Sequence, residues 1–179
     1  MKSKFAPTLV LGCICLVASL LLAATYQVTA PQIERIAIEN ANAARAEVMP
    51  EATGFSQVDC ELIDGVTEVY VSDNEVGHVI TSKAKGFGGD IIVMTAIKTD
   101  GTIEAIKVTD ASNETPGLGS KTTTPEHAAK FVGASQITMD PEGEGQYTAP
   151  VSGATYSSRG VFNAVSLALQ QYAQIGGAK

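Results

Sequence analysis

Two short stretches hold residue types that could do chemistry. The first is "APVSGATYSSRG" (149–160), just before the last apolar segment of the chain. Ser152, Thr155, Ser157 and Ser158 supply hydroxyls, Ala154 is small, and Gly153 allows close backbone approach. If a helix starts here, its first N–H groups lack intrahelical partners and its dipole presents a positive end. That combination suits a phosphate. The dipole is worth only about 0.3–1 kcal/mol, or about 2 when partly buried, so it can orient a phosphate but not retain one. Ser and Thr also cap helices, so a plain cap and a phosphate cradle are both open. No Gly-Lys-Ser/Thr follows at Walker spacing. The second stretch is "NETPGLGSK" (113–121). Pro116, Gly117 and Gly119 set a sharp, exposed turn. Glu114 and Lys121 bracket it with opposite charges, and the plain alternative is an ordinary Pro-Gly loop.

These stretches need elements to hold them. Val161, Ala164, Val165, Ala168, Leu169, Tyr172 and Ile175 recur at helical spacing and define one apolar face. Asn163, Ser166, Gln170, Gln171 and Gln174 fall on the other side. "VTEVYVS" (66–72) is β-branched and reads as a strand. Residues 75–86 read as a second strand. A buried strand over 91–99, a two-residue Asp100-Gly101 turn and a strand over 102–109 form a hairpin. "GFGG" (86–89) leads into a strand, not a helix, so it is no dinucleotide fingerprint. A short helix is predicted over 124–133, with Thr124 as cap, Pro125 first and Gly133 closing it. Residues 136–147 read as a loop. This order predicts an α+β domain with a mostly antiparallel sheet packed with helices.

Composition narrows the functional classes. The net charge is −7 over 179 residues, which argues against nucleic acid and against an anionic membrane surface. After Lys4 no charge occurs until Glu34, and residues 9–26 are almost wholly apolar. About 20 such residues span a bilayer core. A cleaved signal peptide or a lipoprotein at Cys13 fits less well, because the apolar run is long and continues past Cys13. Lys2 and Lys4 precede the span, which places the N-terminus in the cytoplasm and the domain outside. A juxtamembrane helix is expected over 31–50, opening at Pro31 and stopping at Pro50. Cys13 and Cys15 lie in the span and Cys60 stands alone, so no disulfide framework is available. His78 is read as a strand residue and His127 as a helix-surface residue. Neither has zinc-site spacing.

"SGATYSS" (152–158) resembles the site at which certain membrane-linked flavoproteins carry covalent FMN. "ETPGLGSK" (114–121) resembles the second signature of the same family. "TAPQI" after the span, "GFGGDI" before the buried strand and "DGTI" in the hairpin also fit. In order and spacing, most of the chain resembles the G subunit of the Rnf ion-translocating electron transport complex. That subunit shares its FMN-binding domain with the C subunit of the sodium-pumping quinone reductase. The resemblance implies a membrane-anchored electron carrier within an ion-translocating ferredoxin:NAD⁺ oxidoreductase. Its partners would be other membrane and redox subunits, with a Mg²⁺-using flavin transferase during maturation. It implies FMN joined by its phosphate to Thr155. Ser152, Gly153, Ala154, Ser157 and Ser158 would lie around the phosphate. Glu114, Thr115, Gly117, Leu118, Gly119 and Lys121 would lie toward the ring, with Lys121 tuning a reduced flavin. The domains would be a cytoplasmic N-terminus and span (1–30), a juxtamembrane helix (31–50) and an extracytoplasmic FMN-binding domain (51–179). The family pattern has an Asp six residues before the modified Thr, where this chain has Ala149. The alternatives are the equivalent subunit of another respiratory complex, such as the quinone reductase, or a flavin-free membrane-anchored binding module.

Overall fold

A computed structural model describes residues 6–176. Helix α1 (Ala6–Val48) is a single 43-residue helix with Pro31 inside it. Pro31 therefore does not open a separate juxtamembrane helix. It removes one backbone hydrogen bond, but Ala, Glu, Arg and Ile around it are tolerant or strong helix formers that carry the helix on. The first part of α1 is long and apolar enough to cross a membrane. The hydroxyls of Thr25 and Thr29 are absorbed by the helix itself, donating to the Leu21 and Thr25 carbonyls. Further along, Arg35 pairs with Glu39 one turn later at 2.9 Å.

The compact domain begins at Asn42, within the last turns of α1. Its sheet is an antiparallel meander in chain order: β1 (Phe55–Gln57), β2 (Val66–Ser72), β3 (Gly77–Lys85), β4 (Asp90–Lys98) and β5 (Ile103–Asp110). A single α-turn, α2 (Pro125–Ala128), and the long helix α3 (Thr155–Gln174) follow, and α3 covers one face of the sheet. Val161, Ala164 and Val165 meet Ile91 and Val93 of β4, while Ala168 and Tyr172 meet Ile80 and Ile97. Alternate residues point the other way. Val79, Met94 and Ala96 pack under Val48 and Met49 at the end of α1. Strand β4 is thus buried on both faces, which is why it reads as an unbroken apolar run. Arg45 fastens the α1 end to the sheet. It lies 3.5 Å over the Tyr70 ring, bonds Glu68 at 3.0 Å and is buried.

Several local expectations are corrected. The β4–β5 connection spans four residues, Thr99 to Thr102, and is closed by Lys98 N–H on the Thr102 carbonyl. Asp100 closes the turn by accepting from the Thr102 amide and hydroxyl. The helix expected over 124–133 is only the α2 turn, followed by a 3₁₀ turn (Ala129–Phe131). Thr124 does not cap it, since its hydroxyl donates backwards to the Lys121 carbonyl. The 136–147 segment includes a small parallel pair, β6 (Ile137–Thr138) with β7 (Gln146–Tyr147). His78 does lie in β3, against the edge of Tyr172 at 5.4 Å. His127 is buried, not on a helix surface, with its ring against Phe131 at 5.6 Å. Gln171 is fully buried too, although the helical pattern set it on the polar side.

Candidate functional site

The two stretches converge at the start of α3. At the end of β5, Asp110 accepts from Ser112 N–H, and a turn from Ala111 brings Glu114 inward. Gly117 N–H is taken by Ser120 Oγ at 2.8 Å, and a 3₁₀ turn (Gly119–Thr123) follows. On the other side, Ala154 N–H bonds the Val151 carbonyl, and Gly153 sits at φ +78°, a left-handed conformation that L side chains rarely adopt. Ala154 takes the N-cap position and Thr155 is the first helical residue.

A plain cap is not what the atoms form. Ala154 has no side chain with which to cap the helix. Ser158 Oγ instead accepts from Val151 N–H at 2.9 Å, and Ser157 donates to Glu114. Among the described residues, no acceptor takes the N–H of Thr155, Tyr156 or Ser157. Ser152 and Thr155 are exposed. The nearby hydroxyls leave the helix end open, and its free amides remain available to an anion.

Glu114 is the hidden node of the site. Only 4 % exposed, its carboxylate accepts from Phe87 N–H at 2.9 Å and Gly88 N–H at 3.0 Å through Oε1. Its other oxygen accepts the buried Ser157 hydroxyl. Three donors satisfy the charge that burial would otherwise penalise. One carboxylate therefore ties three segments together: the 86–89 loop, its own loop and α3. The loops pack so closely that a Cβ on Gly88 would collide with the Asn113 carbonyl oxygen.

Above this node is a cavity of about 120 Å³. It brings together Thr115, Leu118, Gly119, Gly153, Ala154, Thr155 and Ser157, all expected from the sequence. Phe87 and Tyr156 also line it and were missed. Phe87 stood out only as part of a glycine-rich run, and Tyr156 only as a spacer in the Thr155 motif. Glu114 lies beneath the cavity and does not line it. Ser158 is buried on its own backbone bond, while Gly117 and Lys121 are exposed on the adjoining turn. Ala149 offers its carbonyl to Lys130 Nζ at 2.9 Å.

Residues 86–170 match the family model of the FMN-binding domain; the match begins at the glycine before Phe87 and ends within α3. Over 96 % of its length the chain is 31 % identical to the G subunit of the Na⁺-translocating ferredoxin:NAD⁺ oxidoreductase complex of Acetobacterium woodii, covering 92 % of that protein. It is 33 % identical to the G subunit of the ion-translocating oxidoreductase complex of Methanosarcina acetivorans, with 86 % of each chain covered. A crystal structure of the C subunit of the Na⁺-translocating NADH-quinone reductase from Parabacteroides distasonis is 24 % identical, with a TM-score of 0.45 over 57 % of this chain and 59 % of that one. The chain belongs to the family of G subunits of ion-translocating oxidoreductase complexes.

Proposed function

We propose that this chain is the flavin-carrying subunit of an ion-translocating ferredoxin:NAD⁺ oxidoreductase complex, with FMN esterified through its phosphate to the Thr155 hydroxyl. The observation that supports this best is local. Thr155 is exposed, opens a 20-residue helix and stands beside three unpartnered amides at the edge of a cavity. Those amides can donate to the charged oxygens of a phosphodiester, and a covalent link retains what a helix end alone would release. Bound FMN supplies one-electron chemistry, and the chain supplies position and tuning. Thr115, Gly119 and Leu118 form the wall facing Gly153 and Thr155, with the Leu118 side chain close over Gly153. Exposed Lys121 places a positive charge on the adjoining turn, where it would favour a reduced, anionic ring.

Maturation requires activation of a hydroxyl that is a weak nucleophile at neutral pH. No described residue hydrogen-bonds the Thr155 hydroxyl, which accords with a separate Mg²⁺-using flavin transferase. The apolar part of α1 anchors the chain in the membrane. The lysines before it favour a cytoplasmic N-terminus, with the flavin domain on the opposite side beside other redox subunits. The test is direct. Full-length protein made with the transferase is denatured, run on a gel and viewed under ultraviolet light. The wild-type band should fluoresce and the Thr155→Ala band should be dark. A dark wild-type band would refute the attachment.

A further inference from the structure

Among the described residues from 42 onward, six large apolar side chains are exposed: Leu62, Phe87, Leu118, Val132, Tyr147 and Tyr156. Single exposed apolar residues are ordinary. Here three of the six, Phe87, Leu118 and Tyr156, line one cavity, and Phe87 and Tyr156 are the most exposed, at 68 % and 67 %. Their ring centroids are 6.4 Å apart at a tilt of 51°. Clustered apolar exposure around a concavity marks something left uncovered.

We propose that Phe87 and Tyr156 form an aromatic bracket for the isoalloxazine ring of the FMN carried on Thr155, an inference that rests on the attachment proposed above. Size selects the occupant's mode of binding. Pockets that enclose a ligand hold roughly 300–1,000 Å³, whereas this cavity holds about 120 Å³. A three-ring system therefore cannot sink into it and must lie against the raised side chains at its rim. A flat ring between two others needs about 7 Å, twice the contact distance of about 3.5 Å. At 6.4 Å and a tilt of 51° the two rings now meet as an ordinary aromatic pair, and because exposed rings turn on short timescales they can part to admit a flat ring. Tyr156 directly follows the attachment residue, so its ring is within reach of whatever Thr155 carries.

The bases of the bracket are fixed although its rings are free. Phe87 N–H is bonded to Glu114 Oε1, and Ser157, next to Tyr156, donates to the other oxygen of the same carboxylate. Glu114 thus acts as the positioning residue that sets the spacing of the two aromatic anchors, while touching neither ring's exposed face.

The test compares wild type, Phe87→Ala and Tyr156→Ala, each full-length and made with the flavin transferase. Covalent flavin is measured on denatured protein, and fluorescence and anisotropy of the folded protein are then expressed per flavin. Either face holds the flavin ring still, and the oxidisable Tyr156 ring also quenches its emission by electron transfer. Losing one face should shift the docked-to-undocked ratio roughly two- to ten-fold, lowering anisotropy in both variants and raising emission in Tyr156→Ala. Tyr147→Ala, exposed elsewhere, should leave both unchanged. Emission and anisotropy per flavin equal to wild type in both bracket variants would overturn the proposal, as would an equal response from Tyr147→Ala. Should either alanine variant carry no flavin, its leucine counterpart is read by the same criteria. A wild-type band without flavin defeats the attachment itself, and is distinguished by being dark when denatured.

Discussion

At the scale of the residue, Glu114 does the most with one side chain. Removing it would strand two backbone N–H groups and a buried hydroxyl. Leaving such donors unpaired typically costs about 1–3 kcal/mol each, partly relieved where water can enter. Glu114→Ala should therefore lower stability by about 2–4 kcal/mol in urea unfolding, while Glu114→Gln, which keeps an acceptor for the loop amides, should lose less. This role was only half legible in the sequence. The motif marked Glu114 as a site residue and gave it a charge to set against Lys121. Nothing in "NETPGLGSK" says that the carboxylate turns inward toward a loop 26 residues earlier. The place of Thr155, first in α3 and at the rim of the cavity, was legible because it follows from the local motif. Phe87 and Tyr156 were not, because exposure is a property of the folded surface.

At the scale of the element, α3 and β4 were legible because burial imposes a period. Helix α3 packs one face, and β4 packs both. Gln171 shows where the periodic pattern fails. A polar residue on a helix is read as solvated, yet its amide accepts from Ile63 N–H at 2.8 Å and donates to the Glu61 carbonyl at 3.0 Å. It supplies the ladder bonds that this irregular segment lacks. Gln171→Leu should cost about 1–3 kcal/mol in thermal or urea unfolding despite adding apolar surface, because both backbone groups lose their partner. A neutral result would mean that water serves the segment as well as Gln171 does. The 124–133 helix failed for a related reason. Thr124, Pro125 and Gly133 are sound punctuation, but the α-helical span between them is only four residues. So short a helix is held by packing, not by propensity, and Phe131 and Ala134 bury into the α3 cluster instead of extending it.

At the scale of the whole molecule, two properties follow from what the domain buries. His127 and His78 both have pKa values lowered from 6.5 by desolvation, His127 further by the nearby Lys130 charge. Below pH about 6.5 the unfolded chain binds protons at these histidines and the folded chain resists them. Stability is then complete above that pH and declines as the pH falls through the window beneath it. The midpoint of thermal unfolding should drop between about pH 6.5 and 5, and the slope should flatten in a His127→Gln variant. A flat wild-type profile over that window would contradict the desolvation of these two rings, His127 buried and His78 half-buried. Carboxylates lowered by local hydrogen bonds, such as Asp100 and Asp110, act in a separate, more acidic range.

The second property concerns Cys60, the only cysteine in the domain and a free thiol. Many small domains are stapled by disulfides, and their integrity then depends on the thiol redox poise around them. This domain is closed instead by two packed faces and by polar ties such as Gln171 and Glu114. Its melting temperature should be the same with and without a strong thiol reductant. A fold so built is indifferent to reducing power, so a subunit of an oxidoreductase complex made this way does not unfasten itself when its surroundings are reduced.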